Sequence, residues 1–134
     1  MEKSTIEKLQ KILLLFVSVG LIPIALGYGY MPEKSMSHLF NITVSEVNLA
    51  HILRAVMGLY FALVIFWIIG AYKTSLREAA LYSLVVFMFG LAAGRILSLI
   101  LDGVPDWLLL VYLVLELLFG VLGLILINKS KRLE

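Results

Sequence analysis

Three ionisable residues, Arg54, Arg95 and Glu116, lie well inside long apolar segments of this chain. If those segments are helices that cross a membrane, each charge costs at least about 2.5 kcal/mol on insertion scales and needs a compensating partner. Arginine donates hydrogen bonds to anionic and other polar acceptors, and a glutamate can also transfer protons. These residues therefore predict either a structural ion pair or a site for a polar ligand.

The direction of the side chains indicates which charges pair. A helical side chain leans toward the N-terminus of its own helix, so Arg95 and Glu116, on consecutive antiparallel helices, lean toward the same depth. We expect an ion pair between them. Arg54 leans the other way, and its expected partners are Asp102, Glu46 or a bound anion, because Arg95 would repel it.

Other polar residues share helical faces with these charges, and we expect the three faces to converge. The resulting candidate pocket consists of Arg54, Arg95, Glu116, Asp102, His51, Ser98 and Tyr112. It is either a hydrogen-bonded network that fixes helix register or a functional pocket open to one side of the membrane. We predict no metal and no cofactor, because the chain has no cysteine and its two histidines, His38 and His51, have no cluster of further ligands.

Composition defines the elements that must position this pocket. Of 134 residues, 62% are apolar and 15% charged, with a mean hydropathy of +1.04, which is too apolar for an ordinary soluble domain. About 20 apolar residues cross a bilayer, so we predict an all-α, polytopic membrane protein that is one four-helix transmembrane bundle over 1–134. The predicted spans are about 9–30, 47–72, 76–101 and 107–128. A basic start and an apolar run also fit a signal peptide, but the uncharged stretch 12–32 is longer than usual for one.

Local patterns predict the helix ends. Capping boxes at 43–46 and 75–78 should start the second and third spans, and Gly103 should end the third. Pro105 is expected in the first turn of the fourth span. A short helix within 31–43 should lie in the headgroup region, and the GxxxG pattern 90–94 should pack inside the bundle instead of between chains.

The distribution of basic residues predicts the orientation. One side of the predicted topology carries Lys3, Lys8, Lys11, Lys73, Arg77, Lys129, Lys131 and Arg132, whereas the other carries Lys34 alone. Because cytoplasmic loops are enriched in Lys and Arg, both termini should be cytoplasmic. These residues flank apolar runs instead of forming a patch, so we expect no nucleic-acid partner.

The residues at 54–60 (RAVMGLY), Gly94-Arg95, Ser98, the segment 102–105 and Glu116 together resemble the bacterial domain-of-unknown-function family 4345. The likeness covers the second to fourth spans, roughly 48–126. It implies a small four-helix protein of the bacterial inner membrane and implies no activity.

Three functions fit these observations. The favoured one is a non-enzymatic accessory or interaction protein, because the sequence offers no nucleophile with a base and no phosphate-binding loop. The second is a carrier or binding protein for a small anionic or amphipathic ligand such as a lipid headgroup. The third is a membrane enzyme acting on a lipid-soluble substrate, with Glu116 or Asp102 as acid or base. The expected partners are the bilayer, a membrane protein or second copy of the chain, and a lipid or anionic ligand.

Overall fold

Four long apolar helices and one short helix make up the fold. The computed structural model describes residues 2–134, and within them every regular element is helical. The helices are α1 (Lys3–Gly29), α2 (Pro32–Phe40), α3 (Val47–Tyr72), α4 (Thr74–Leu101) and α5 (Trp107–Lys131). All except α2 are long and apolar enough to cross a membrane. The prediction of an all-helical chain with four helices that could span a membrane is therefore confirmed.

Consecutive long helices run antiparallel, so the bundle has two distinct ends. We call the end with residues 2–8, 73 and 129–134 the terminal end, and the end with α2 and residues 102–106 the α2 end. Around the bundle, α1 is the neighbour of α3, α3 of α4, α4 of α5, and α5 of α1, and the contact between α1 and α3 is the most extensive of the four. Across the bundle α1 meets α4, whereas α3 and α5 do not meet. This open diagonal leaves space on either side of α5.

The best-packed part of the core lies between α1, α3 and α4. Trp67 and Leu84 are fully buried there, together with Leu14 and Leu81. The indole N–H of Trp67 donates to the Ser83 hydroxyl at 2.9 Å, and this hydroxyl donates to the carbonyl of Ala80 at 2.8 Å. The single polar group of a large buried side chain is thus satisfied, as burial in an apolar medium requires.

Two glycines allow the closest helix approaches. A methyl group at Gly70 would collide with the Cβ atom of Ala80, and one at Gly29 would lie 2.5 Å from the Cβ atom of Met57. The sequence predicts close approach at three glycines of the first predicted span, Gly20, Gly27 and Gly29. At Gly20 this expectation is wrong, because a methyl group there would have no neighbour within 4 Å and would face open space.

The turn between α3 and α4 consists of Lys73 alone. Because the chain reverses so abruptly, α4 begins at Thr74, Ser75 is already helical, and no side chain caps the helix. The last carbonyls of α3 instead accept hydrogen bonds from Arg77, at 3.3 Å for Gly70 and 2.8 Å for Ala71. The capping box predicted at 75–78 is therefore wrong.

The capping box predicted at 43–46 is also wrong. Residues 41–46 are not helical, so Thr43 lies too far from the helix to cap it. Glu46 occupies the N-cap position of α3 and its side chain makes no capping hydrogen bond.

The turn from α4 to α5 follows the prediction with one change. Asp102 ends α4, and Gly103 adopts a φ of 102°, a left-handed conformation that glycine adopts without strain. Pro105 lies one residue before the N-cap instead of in the first helical turn. Asp106 is the N-cap, and its carboxylate accepts a hydrogen bond from the N–H of Leu108 at 3.0 Å.

The short helix predicted within 31–43 is α2. Pro32 and Met36 face the bundle and are buried, whereas Glu33, Lys34 and His38 are exposed. The helix ends at Asn41, which has a φ of 55°. Its one buried face indicates an amphipathic helix that lies over the ends of α1 and α3.

Gly70→Ala should lower the free energy of unfolding by about 1–3 kcal/mol, because the added methyl group overpacks the contact with Ala80. Thermal unfolding in detergent, followed by circular dichroism, measures the change. Gly58→Ala is the matched control, since Gly58 also lies in α3 and has open space around it. Equal effects of the two substitutions would contradict the close approach.

Candidate functional site

The ion pair predicted between Arg95 and Glu116 is present and lies near the α2 end. Nε of Arg95 donates to both carboxylate oxygens of Glu116, each at 2.9 Å. The Glu116 side chain is 7% exposed and that of Arg95 is 20% exposed. The pair links α4 to α5 from inside the bundle, and it provides the partner that each charge requires in an apolar environment.

Only one of the five N–H groups of the Arg95 guanidinium is used by this ion pair. The terminal nitrogens donate no hydrogen bond to any of residues 2–134 that satisfies the usual distance and angle limits. The Tyr28 hydroxyl is close to the guanidinium, and the ring of Tyr112 lies 5.6 Å from its central carbon. Arg95 is therefore held in place by Glu116 and aromatic neighbours, while most of its donors remain available.

A groove of about 480 Å³ lies between α3 and α5, with α4 as its floor. We call it groove 1. Tyr60 and Leu59 line it on α3, and Leu113 lines it on α5. The floor contains Gly94 and Arg95, and the groove reaches the turn at Gly103 and Pro105. Groove 1 is thus mainly apolar, with the side chain of Arg95 in its floor.

A second groove, of about 270 Å³, lies on the other side of α5, between α5 and α1. We call it groove 2. Gly20 and Phe16 line it on α1, whereas Tyr112 and Glu116 line it on α5. Arg95 lines this groove as well. The same arginine consequently forms part of the wall of both grooves, because α5 touches neither α3 nor much of α1 at this depth.

The remaining polar residues predicted on α4 form a separate local contact. The Ser98 hydroxyl lines groove 1 and donates to the carboxylate of Asp102 at 2.7 Å, one helical turn later. Asp102 is exposed and lines neither groove. Ser98 therefore belongs to the site, and Asp102 lies beyond its edge.

A bound anion at Arg54 stays a prediction, but Arg54 pairs with neither Asp102 nor Glu46, so these two predicted partners are wrong. Its terminal nitrogen donates to the carbonyl of Gly29 at 2.9 Å and to that of Tyr30 at 3.4 Å, at the C-terminus of α1. The last carbonyls of a helix have no intrahelical partner and carry partial negative charge, so a cation is stabilised there. Arg54 and Arg77 thus perform the same structural task, each at the end of a preceding helix.

His51 does not join the site either. It is exposed on α3 and lines neither groove, so the polar face of α3 does not converge with those of α4 and α5. Within residues 2–134, no group of three or more His, Asp or Glu side chains is arranged to hold a metal ion. The site assembled by the structure contains Arg95, Glu116, Tyr112 and Ser98 of the predicted residues.

The predicted packing of the GxxxG segment inside the bundle was wrong. A Cβ atom at Gly90 or Gly94 would have no neighbour within 4 Å, and both glycines line the floor of groove 1. Their lack of side chains creates the depth of this groove instead of a helix contact.

Sequence reasoning missed two tyrosines. Tyr28 and Tyr60 both line groove 1, and their rings meet edge to face with centroids 5.6 Å apart. The ring of Tyr60 also meets that of Phe87 at 5.1 Å. The position of Tyr28 near a helix end suggests only a place at the membrane interface. No pattern in one sequence could show that α1 brings it beside Arg95.

Arg95→Gln should lower the free energy of unfolding by about 3–5 kcal/mol, because it leaves the Glu116 carboxylate buried without a partner. Unfolding in detergent micelles measures this loss. The double variant Arg95→Gln with Glu116→Gln removes both charges and should be more stable than the single variant. An Arg95→Gln protein as stable as the wild type would rule out a structural role for the pair.

Comparison with known families adds an assignment but no activity. The family model described as "Domain of unknown function (DUF4345)" matches residues 9–127, which include every residue of the site. Neither the curated proteins nor the solved structures contain a match to this chain. The match covers most of the chain, with all of α3 and α4 and the greater part of α1 and α5, and it confirms the resemblance seen in the sequence: the chain belongs to the DUF4345 family.

Proposed function

We propose that this chain is a membrane protein that binds a lipid-soluble amphipathic molecule, with the polar head of the ligand at Arg95 and its apolar part in the grooves. One observation carries the proposal. Arg95, whose terminal nitrogens make no hydrogen bond of ordinary geometry within residues 2–134, lines both of the apolar grooves.

The dimensions and lining of groove 1 support this function. Its volume of about 480 Å³ lies within the range of about 300–1,000 Å³ typical of small-molecule sites. Such sites combine a mostly apolar wall with a few convergent polar groups. Groove 1 has this composition, with Arg95, Tyr28, Tyr60 and Ser98 as its polar groups.

The energetics of the site favour a ligand with hydrogen-bond acceptors. Polar N–H groups in an apolar environment cost free energy unless they are paired. Glu116 already fixes the guanidinium through Nε, so a ligand gains hydrogen bonds without ordering the arginine first. This preorganisation lowers the cost of binding.

An accessory or interaction role is the second candidate, and the unpacked glycines favour it. Gly58, Gly90 and Gly94 leave small-residue surfaces open on α3 and α4, and such surfaces allow close helix–helix approach in membranes. Gly90 and Gly94 also line groove 1, so the same surface serves the binding proposal. The enzyme hypothesis has less support, because Asp102 lies away from Glu116 and lines neither groove.

We further propose that the chain lies in a bacterial inner membrane with both termini in the cytoplasm. The terminal end carries all the basic residues that flank the long helices, whereas Lys34 lies at the α2 end. Lys11 and Lys131 lie over the rings of Tyr72 and Tyr82 there, at 4.4 and 5.2 Å. Lysine and tyrosine side chains are both typical of the membrane interface. The grooves would then lie in the outer half of the bilayer.

The binding proposal predicts that substitutions which fill the grooves block a lipid probe. The probe is a fatty acid methyl ester that carries a photoactivatable diazirine on its chain. After illumination in lipid nanodiscs, peptide mass spectrometry should find labels on residues of groove 1. Gly94→Leu should reduce this labelling several-fold, because its side chain occupies the floor of the groove.

Gly58→Leu is the control for this experiment. Gly58 has open space around it, like Gly94, but lines neither groove. Labelling of groove residues should therefore stay at the wild-type level. If labels occur only on lipid-facing residues such as Val86, the chain does not bind the probe and the proposed function is wrong.

The proposed orientation is tested by labelling single cysteines, since the chain has none of its own. Ser37→Cys lies on α2 and Ser4→Cys near the start of α1, and both positions are exposed. In right-side-out vesicles, a membrane-impermeant maleimide should modify the cysteine at 37 at once and the one at 4 only after permeabilisation. The reverse pattern would contradict cytoplasmic termini.

A further inference from the structure

We infer that the ligand head is an uncharged hydrogen-bond acceptor, such as the carbonyl of an ester or ketone, and that Glu116 is the residue that selects it over an anion. This inference rests on the proposed binding function and names the chemical class of the ligand.

The first argument is the charge of the site. The positive charge of Arg95 and the negative charge of Glu116 are joined at 2.9 Å, so the pair presents no net charge to the grooves. No other charged side chain within residues 2–134 lines either groove. An anionic head would add an uncompensated charge in an apolar environment, where the cost of such a charge is highest.

The second argument is the balance of donors and acceptors. Four N–H groups of the Arg95 guanidinium are not used by Glu116, and Tyr28, Tyr60 and Tyr112 add hydroxyl-bearing side chains to the walls of the two grooves. The Ser98 hydroxyl uses its proton for Asp102, and both oxygens of Glu116 already accept from Nε. The site is therefore rich in donors, and it complements a head that accepts hydrogen bonds.

The two arguments together are evidence against Arg95 as a residue that binds a free anion. An arginine that captured a free carboxylate or phosphate would gain from having no buried acid beside it. Glu116 instead occupies one edge of the guanidinium, is itself buried, and cancels its charge. The remaining edge can donate to a carbonyl oxygen from either groove.

Two lipid probes that have the same acyl chain and different polar head groups test this inference. They are the diazirine-bearing methyl ester used above and the corresponding free fatty acid, compared at alkaline pH, where the acid is ionised. Labelling of Leu113 in groove 1 is divided by labelling of the lipid-facing Val86, which corrects for the amount of each probe in the bilayer. The wild-type ratio should favour the ester.

Glu116→Gln should reverse this preference, because it leaves the positive charge of Arg95 unbalanced while keeping the size of the side chain. We expect the ratio of acid to ester labelling in groove 1 to rise at least about tenfold. Glu33→Gln makes the same chemical change at an exposed position of α2 that lines neither groove, so it is the matched control and should leave the ratio near its wild-type value. Circular dichroism and the unfolding midpoint of each variant establish that it is folded.

The outcomes separate the inference from the proposed function. If neither probe labels groove residues, the binding function fails. If the wild type prefers the acid, or if folded Glu116→Gln protein keeps the preference for the ester, binding stands and the inference about the head is overturned. The comparison of the probes on the wild type decides the chemical class even if Glu116→Gln does not fold.

Discussion

An arginine inside an apolar bundle must have its charge compensated, and the ion pair of Arg95 with Glu116 meets that requirement between the two grooves. The pair connects α4 and α5 close to the α2 end, where α5 is separated from α3 and only partly packed against α1. Without it, one charged side chain on each helix would lie in an apolar environment. The pair therefore fixes the position of α5 and, through it, the shape of both grooves.

The other two arginines within or beside the long helices are compensated in a different way. Arg54 and Arg77 donate to the terminal carbonyls of α1 and α3, which no backbone N–H can reach. In each case the accepting helix ends with a glycine or just after one, and close packing brings the arginine within reach. The three arginines thus have two kinds of partner: a carboxylate for Arg95, and the C-terminal carbonyls of a helix for Arg54 and Arg77. Of these three arginines, Arg95 is the one that lines the two grooves.

Much of the fold follows from the sequence because membrane helices obey strong local rules. Length and apolarity predict the four long helices, and α3 and α5 begin at the expected residues. The Arg95–Glu116 contact could also be predicted, since it depends on the lean of two side chains across one short turn. The partners of Arg54 could not be predicted from the sequence, because they depend on where α1 ends relative to α3.

The failed predictions share a physical cause. Both capping boxes describe how an isolated helix begins, but no side chain caps the start of α3 or of α4, and α4 begins directly after the one-residue turn at Lys73. The glycines at 90 and 94 fit a packing motif, yet a missing side chain creates a groove equally well when no helix lies opposite. Which of the two occurs depends on the distance between α3 and α5, and no local pattern encodes that distance.

The one-residue turn at Lys73 has a mechanical consequence for the bundle. A connection this short, with the end of α3 tied to Arg77, prevents α3 and α4 from sliding or separating at the terminal end. Helices α3 and α4 thus form a rigid hairpin, and α1 packs along α3. The fifth helix is joined to this hairpin only by residues 102–106 and by side-chain contacts. The width of groove 1 therefore depends on the position of α5, which the Arg95–Glu116 pair holds against α4.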